Sequence, residues 1–215
     1  LLAPGGLMER NLKAVQQVQQ QLKLVRPDAP LPQFHPRPLT RRVGEHVGRE
    51  LPATATDRTT GKVAIYVTCY GDHNEPQVVE DLIAVLNHNG VPVKVLQDAK
   101  CCGMPKLELG DLKKVEKMKD ANIPVFQQAI EEGYDIIAPI PSCVLMYKQE
   151  LPLMYPDDPQ VQKVQQAFYD PFEYLWLRHK GSAFNTEFPN AIGSVAYQVA
   201  CHQRVQKIGL KTRDV

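Results

Sequence analysis

KVAIYVTCYGDHNEPQVVEDLIAVLNHNGVPVKVL, residues 62–96, decides the fold. KVAIYVTC (62–69) is a short, β-branched run that reads as a buried strand. DHNEPQVVEDLIAVLNHNG (72–90) reads as a helix that opens near Pro76 and stops with Gly90 as its C′ residue. VPVKVL (91–96) is a second strand. A strand, a helix of this length and another strand make one unit of a parallel sheet.

The rhythm continues downstream. LGDLKKVEKMKDANIPVFQQAIEEG (109–133) predicts a helix in two pieces, broken before Pro124 and stopped at Gly133. YDIIAPI (134–140) predicts a third strand and SCVLMYKQELPLM (142–154) a helix. DPQVQKVQQAFYDPFEYLWLRHKG (158–181) predicts one or two more helices. SVAYQVAC (194–201) predicts a fourth strand, and HQRVQKIGLK begins another helix. The expected class is α/β, a Rossmann-like parallel sheet with helices on both faces. Upstream, LMERNLKAVQQVQQQLKLV (7–25) carries Leu12, Val15, Val18 and Leu22 at helical intervals. Five prolines then fall within residues 26–42, which suits an extended connector. Residues 43–60 are polar and end as a loop. The expected division is a helical arm and Pro-rich linker over 1–60, an α/β domain over 61–190 and a further segment over 191–215.

Bulk properties narrow the partners. Net charge is +1, which gives no electrostatic case for nucleic acid or an anionic membrane. No apolar run approaches the roughly 18 residues that span a bilayer. The opening LLAPGGLMERN lacks the pattern of a signal peptide and is expected to be the start of a fragment or processed product. Five cysteines, sparsely spread, do not suit a secreted disulfide framework, so a reducing, cytoplasmic setting is expected.

Those cysteines fall at a common place in the pattern. Cys69 ends the first strand, Cys101 and Cys102 follow the second, Cys143 follows the third and Cys201 ends the fourth. The carboxyl ends of parallel strands share one edge, where α/β proteins bind ligands. The bland alternative is that a buried cysteine is a small hydrophobe. Two adjacent thiols favour one shared object, because a disulfide between neighbouring residues is strained. Gly71 and Gly103 would let backbone approach that object, Pro105, Pro139 and Pro141 stiffen the loops, and His73 stands close enough to join them. Carboxylates near these loops are limited to Asp72 and Glu75, and soft thiolates without carboxylates select iron–sulfur or zinc. Trp176, Tyr66 and Tyr70 suit packing, and no function is expected of His35, His46, His88 or His179. No Gly-x-Gly-x-x-Gly or P-loop follows the first strand.

The stretches TCYGDHNEP, AKCCGMP and PIPSCVLM resemble the cysteine-rich CCG domain. That domain occurs in the B subunit of heterodisulfide reductase and in the iron–sulfur subunits of anaerobic glycerol-3-phosphate dehydrogenase, glycolate oxidase and lactate utilisation systems. Thirty-one residues separate Cys69 from Cys101, and thirty-six separate Gly103 from position 140. The family's closing Cys-x-x-Cys would occupy 140 and 143, yet Ile140 stands at the first of these. The resemblance covers about residues 62–215, with Cys201 and His202 in the place that opens a second such domain, here cut short. It implies an electron-transfer subunit or domain holding one 4Fe–4S cluster on Cys69, Cys101, Cys102, Cys143 and Cys201. The partner would be a flavoprotein dehydrogenase or another redox subunit, quinone-linked or held at the inner face of a membrane, with substrate chemistry on another chain. Ile140 argues for a one-electron relay over the noncubane clusters that use all five cysteines of the pattern. A structural zinc module with four cysteine ligands is the alternative, and a thiol/disulfide oxidoreductase the third. The last lacks an obvious base, since Lys100 and Lys106 are the only nearby cations.

Overall fold

The computed structural model describes Gln17, residues 34–190 and residues 193–215. The expected helix over 7–25 lies outside the described residues except for Gln17, which is helical and exposed.

Among the described residues, five strands form one sheet in the order β1-β3-β2-β4-β5: β1 His46–Val47, β2 Val63–Ile65, β3 Val93–Val95, β4 Asp135–Ile137 and β5 Phe168–Tyr169. β2, β3, β4 and β5 pair in parallel, and β1 adds an antiparallel edge to β3. α1 (Thr68–His73) and α2 (Pro76–His88) connect β2 to β3. α3 (Met104–Glu108) and α4 (Leu112–Glu131) connect β3 to β4. α5 (Pro141–Leu145), a π-helical stretch Met146–Glu150, α6 (Leu151–Met154) and α7 (Pro159–Ala167) lead to β5. α8 (Pro171–Lys180), α9 (Cys201–Val205) and α10 (Lys211–Asp214) follow.

Successive β2 side chains alternate between two cores, as a strand period of two requires. Ala64 and Tyr66 join Val115, Ile123 and Phe126 of α4 and Val161 and Val164 of α7. Val63, Ile65 and Val67 join Val79, Ile83 and Leu86 of α2 and Tyr174 and Leu175 of α8. Helices therefore cover both faces, as expected. Neighbouring strands β3 and β4 lie on opposite sides of β2, so the chain reverses its winding at β2, and Cys69 follows the end of that strand.

Several expectations are corrected. Pro124 does not break α4, which runs unbroken through it. Pro124 and Asp120 are both exposed, so the carbonyl that loses its helical partner faces solvent. Residues 194–200 form no strand. Their β-branched run has no ladder partner, and Val195 and Tyr197 are exposed. Cys69 and Cys201 accordingly lie in the first turns of α1 and α9, not on strands. The two-residue strands β1 and β5 are too short to leave a periodic signal. Residues 34–60 lean on the domain itself: Leu39 is fully buried in the α2 core, and buried Arg178 donates to the Thr54 carbonyl at 2.9 Å.

At the opposite, amino end of β4, buried Asp135 accepts from the Thr60 N–H at 2.7 Å and from the Thr60 hydroxyl at 3.0 Å. Burial nevertheless pushes its carboxyl above the ordinary range. A carboxyl whose pKa is higher folded than unfolded stabilises the fold while protonated, and that advantage is lost as pH rises through the folded value. Asp135→Asn should therefore gain stability relative to wild type as pH climbs from about 4 to about 7. Denaturant midpoints at several pH values read the difference, and a flat or falling difference would contradict the account.

Candidate metal centre

β2 hands the chain to α1 through a strained turn. Thr68 has φ +67°, a left-handed conformation uncommon for a β-branched residue, and it is buried. Such a residue costs on the order of 1–3 kcal/mol and persists only where its surroundings impose it. Its hydroxyl accepts from the Gly71 N–H at 3.1 Å, closing the turn that carries exposed Cys69. A Cβ at Gly71 would stand 2.9 Å from Val79 Cγ2, so the missing side chain here serves the packing of α1 on α2.

The Cys-Cys-Gly loop lies between β3 and α3. Gly103 has φ +91° just before α3, which favours glycine at that position. Pro105 lies in the first turn of α3, where a missing N–H costs no helical bond. The two adjacent thiols leave the backbone in different directions. Cys101 is half-buried, with its sulfur 3.8 Å from Cys69 Sγ. Cys102 is buried, accepts from the Met104 N–H at 3.5 Å and interacts with Cys143, itself buried on α5. The sulfurs thus form a row: Cys69, Cys101, Cys102, Cys143.

That row concentrates negative charge at one place. Hydrogen bonds from Cys102 and Cys69, a Gly103 N–H and the Lys106 ammonium hold Cys101 far below the ordinary thiol value. Its hydrogen bond to Cys101, and then burial, push Cys69 up. Hydrogen bonds with Cys101 and Cys143, and then burial, push Cys102 up. A negative charge in this group is therefore favoured at Cys101, beside the Cys69 thiol at 3.8 Å.

Three polar side chains with no expected role at the site lie beneath the loop. Tyr66 donates its hydroxyl to the Lys100 carbonyl at 2.6 Å. Asn122, fully buried on α4, accepts from the Lys100 N–H at 2.6 Å. Its amide N–H groups lie 3.2 Å from the Lys100 carbonyl, 3.1 Å from the Cys101 carbonyl and 2.7 Å from the Tyr147 hydroxyl. Tyr147 sits in the π-helical stretch. Pro152, in α6 just beyond, offers no N–H to the Lys148 carbonyl, which takes Gln165 Nε2 at 2.8 Å instead. The one available signal was a buried-register Asn inside an amphipathic helix, which also suits an exposed face.

The other expected residues fall around this row. His73 Nδ1 stands 3.2 Å from Asp72 Oδ2, and Asp72 Oδ1 accepts from the Thr40 N–H at 2.8 Å. His73, Asp72, Cys69 and Cys101 line one cleft of about 290 Å³. Cys201 is exposed at the start of α9, and that helix docks on α5 through Gln206 Nε2, 3.1 Å from the Pro141 carbonyl. Ile140 packs against the core, and its carbonyl accepts from the Cys143 N–H at 3.0 Å. Among the described residues, no group of three or more His, Cys, Asp and Glu stands at mononuclear metal-ion spacing. The donor set still fits a thiophilic metal or cluster in kind: four thiols on one edge, with the Met104 N–H on one of them.

Residues 63–148 match the model of a cysteine-rich domain family, CCG. The chain is 34% identical over 92 residues to the C subunit of anaerobic glycerol-3-phosphate dehydrogenase of Escherichia coli, covering 42% of this chain and 23% of that protein. It is 34% identical over 97 residues to lactate utilization protein A of an Exiguobacterium species, covering 45% of this chain and 38% of that one. With lactate utilization protein A of Bacillus cereus, identity is 26% over 154 residues, 70% of this chain and 61% of the relative. The chain thus spans less than two thirds of these relatives. No solved structure matches it. The resemblance drawn from the cysteine spacing is borne out by the family match over residues 63–148.

A Cys101 thiol held below its ordinary value has a measurable consequence. Between about pH 8 and pH 5 the alkylation rate of a free thiol falls roughly tenfold per unit. In the reduced, metal-free protein, Cys101 should fall much less steeply, and Cys102 and Cys143 should react last. Residue-resolved mass spectrometry of alkylated peptides reads both. A slope at Cys101 equal to that of glutathione would mean that the row holds no charge there.

Proposed function

We propose that this chain is an iron–sulfur component of an oxidoreductase, in which Cys69, Cys101, Cys102 and Cys143 hold one 4Fe–4S cluster. A cluster held there would supply reversible one-electron chemistry. The carrying observation is the row of four thiols at the carboxyl edge, with the Cys69 and Cys101 sulfurs 3.8 Å apart, Cys102 and Cys143 in one core and the Met104 N–H on Cys102. N–H···S bonds and burial are the levers by which a protein tunes such a group. Ile140, where the family pattern has a cysteine, leaves four thiols for one cubane. The name of one relative, a dehydrogenase subunit, supports a redox subunit as partner; that this partner is a flavoprotein dehydrogenase, and that the chain works in the cytoplasm and reaches a membrane only through it, are parts of the proposal. Cys201 and His73 are outer members of this proposal. Cys201 has no sulfur contact among the described residues, and His73 shares the cleft with Cys69 and Cys101.

A zinc module with four cysteine ligands is the second reading. The 3.8 Å between Cys69 and Cys101 sulfurs equals the edge of a tetrahedron with Zn–S bonds of about 2.3 Å.

Protein purified without oxygen should carry about four irons and four acid-labile sulfides per chain, with a brown absorption that bleaches on reduction. Serine at Cys69, Cys101, Cys102 or Cys143 should lower iron severely, and Cys201→Ser should keep it. About one zinc without sulfide would replace the cluster reading with the zinc reading. Neither metal would defeat both.

A further inference from the structure

We infer that Asn122 is the positioning residue of the site, setting which thiol of the Cys-Cys pair faces the cleft and which faces Cys143. It rests on the reading of these thiols as a metal-cluster site.

The geometry is a junction of all three cysteine-bearing segments. Tyr66 precedes Cys69 by three residues and binds the Lys100 carbonyl. Lys100 and Cys101 offer a donor and two acceptors of their backbone to Asn122. Tyr147 stands four residues beyond Cys143, one helical turn along the same helix, and takes the remaining contact of the Asn122 amide. One fully buried side chain therefore ties the Cys101 loop to the helix of Cys143, while its partner carbonyl at Lys100 ties it to the strand that leads to Cys69. Asn is suited to this work, since its carboxamide supplies an acceptor for the Lys100 N–H and two N–H donors shared among two carbonyls and a hydroxyl. Aspartate would set a carboxylate oxygen against the Lys100 and Cys101 carbonyls. Leucine or alanine would leave the Lys100 N–H and the Cys101 carbonyl without their partner, and the loop would turn to find water. Rotation of the Lys100–Cys101 peptide would turn both thiols, because adjacent side chains move together.

The test separates positioning from plain stability and from metal content. In reduced, metal-free full chain, Asn122→Ala should raise the alkylation rate of Cys102 at least tenfold, toward that of Cys101, as read peptide by peptide. Ile123→Val, a buried truncation one residue along on the same helix, should change it less than threefold. Tyr147→Phe, which removes one contact of the clamp and keeps the ring, should give an intermediate rise. In anaerobically purified protein, Asn122→Asp should lower iron per chain and shift the visible spectrum of what remains. If Cys102 stays protected in Asn122→Ala, or opens equally in Ile123→Val, the inference is overturned. The alkylation result decides it whether or not wild type carries iron. Absence of iron from wild type would sink the cluster reading alone, and unchanged iron and spectrum in Asn122→Asp with iron-loaded wild type would also count against positioning.

Discussion

When a parallel strand ends, its backbone leaves the ladder, and every N–H and C=O beyond it needs a new partner. That constraint governs the edge of this protein. β3 stops at Val95, and the loop to α3 must cross partly buried ground with a cysteine pair in it. Its polar groups go to Asn122, Tyr66 and the first turn of α3, not to solvent alone. The loop is consequently held to a single path, and the directions of two adjacent thiols follow from that path. Sheet order contributes the second condition. Because winding reverses at β2, the loops after β3 and β4 approach the end of β2 from its two sides, which brings Cys101 and Cys143 toward the Cys69 turn.

The sulfur row then divides into two environments. Cys102 and Cys143 lie inside the core built by α4, α5 and α7, against Tyr147 and Tyr66. Cys69 and Cys101 open onto a polar cleft with Asp72, His73 and Thr40. A charge on buried Cys102 is opposed by its thiol neighbours and by burial, whereas a charge at Cys101 is favoured by the neighbouring thiols, the backbone and a lysine. The same residue type, twice in succession, thus has two different chemistries, decided by the backbone direction at Cys101 and the left-handed turn at Gly103.

Much of this was legible in the sequence. The three central strands, α2 with its Gly90 stop, and the placement of the paired cysteines after the second strand all come from short-range signals: β-branched runs, a proline at a helix start and a glycine beyond a helix end. What stayed hidden depends on the third dimension. Pro124 signals a break by its missing N–H, and only its exposure makes the unbroken helix tolerable. SVAYQVAC has strand propensity but pairs with no strand of the sheet. Thr68 takes a backbone conformation that its residue type disfavours, and Asn122 acts across twenty-one residues of chain. Neither carries a local mark.

The flanking segments show how the site's surroundings are fixed in place. Residues 34–47 lie along the cleft side: the Thr40 N–H holds Asp72, Leu39 fills the α2 core, and β1 closes the sheet edge. Residues 197–215 lie along the buried side. Gln203 is buried and reaches Asp170 at the cap of α8, Gln206 reaches Pro141 at the start of the Cys143 helix, and Lys211 sits 4.4 Å from the Trp176 ring centre. Each flank therefore braces a different half of the sulfur row. The two buried glutamines matter most in this respect. A buried amide without its partner is costly, and the partner of Gln206 is the first turn of the helix that carries Cys143. The segment after residue 193 is thereby a working part of the cysteine domain's packing, even though its own cysteine stands outside the row.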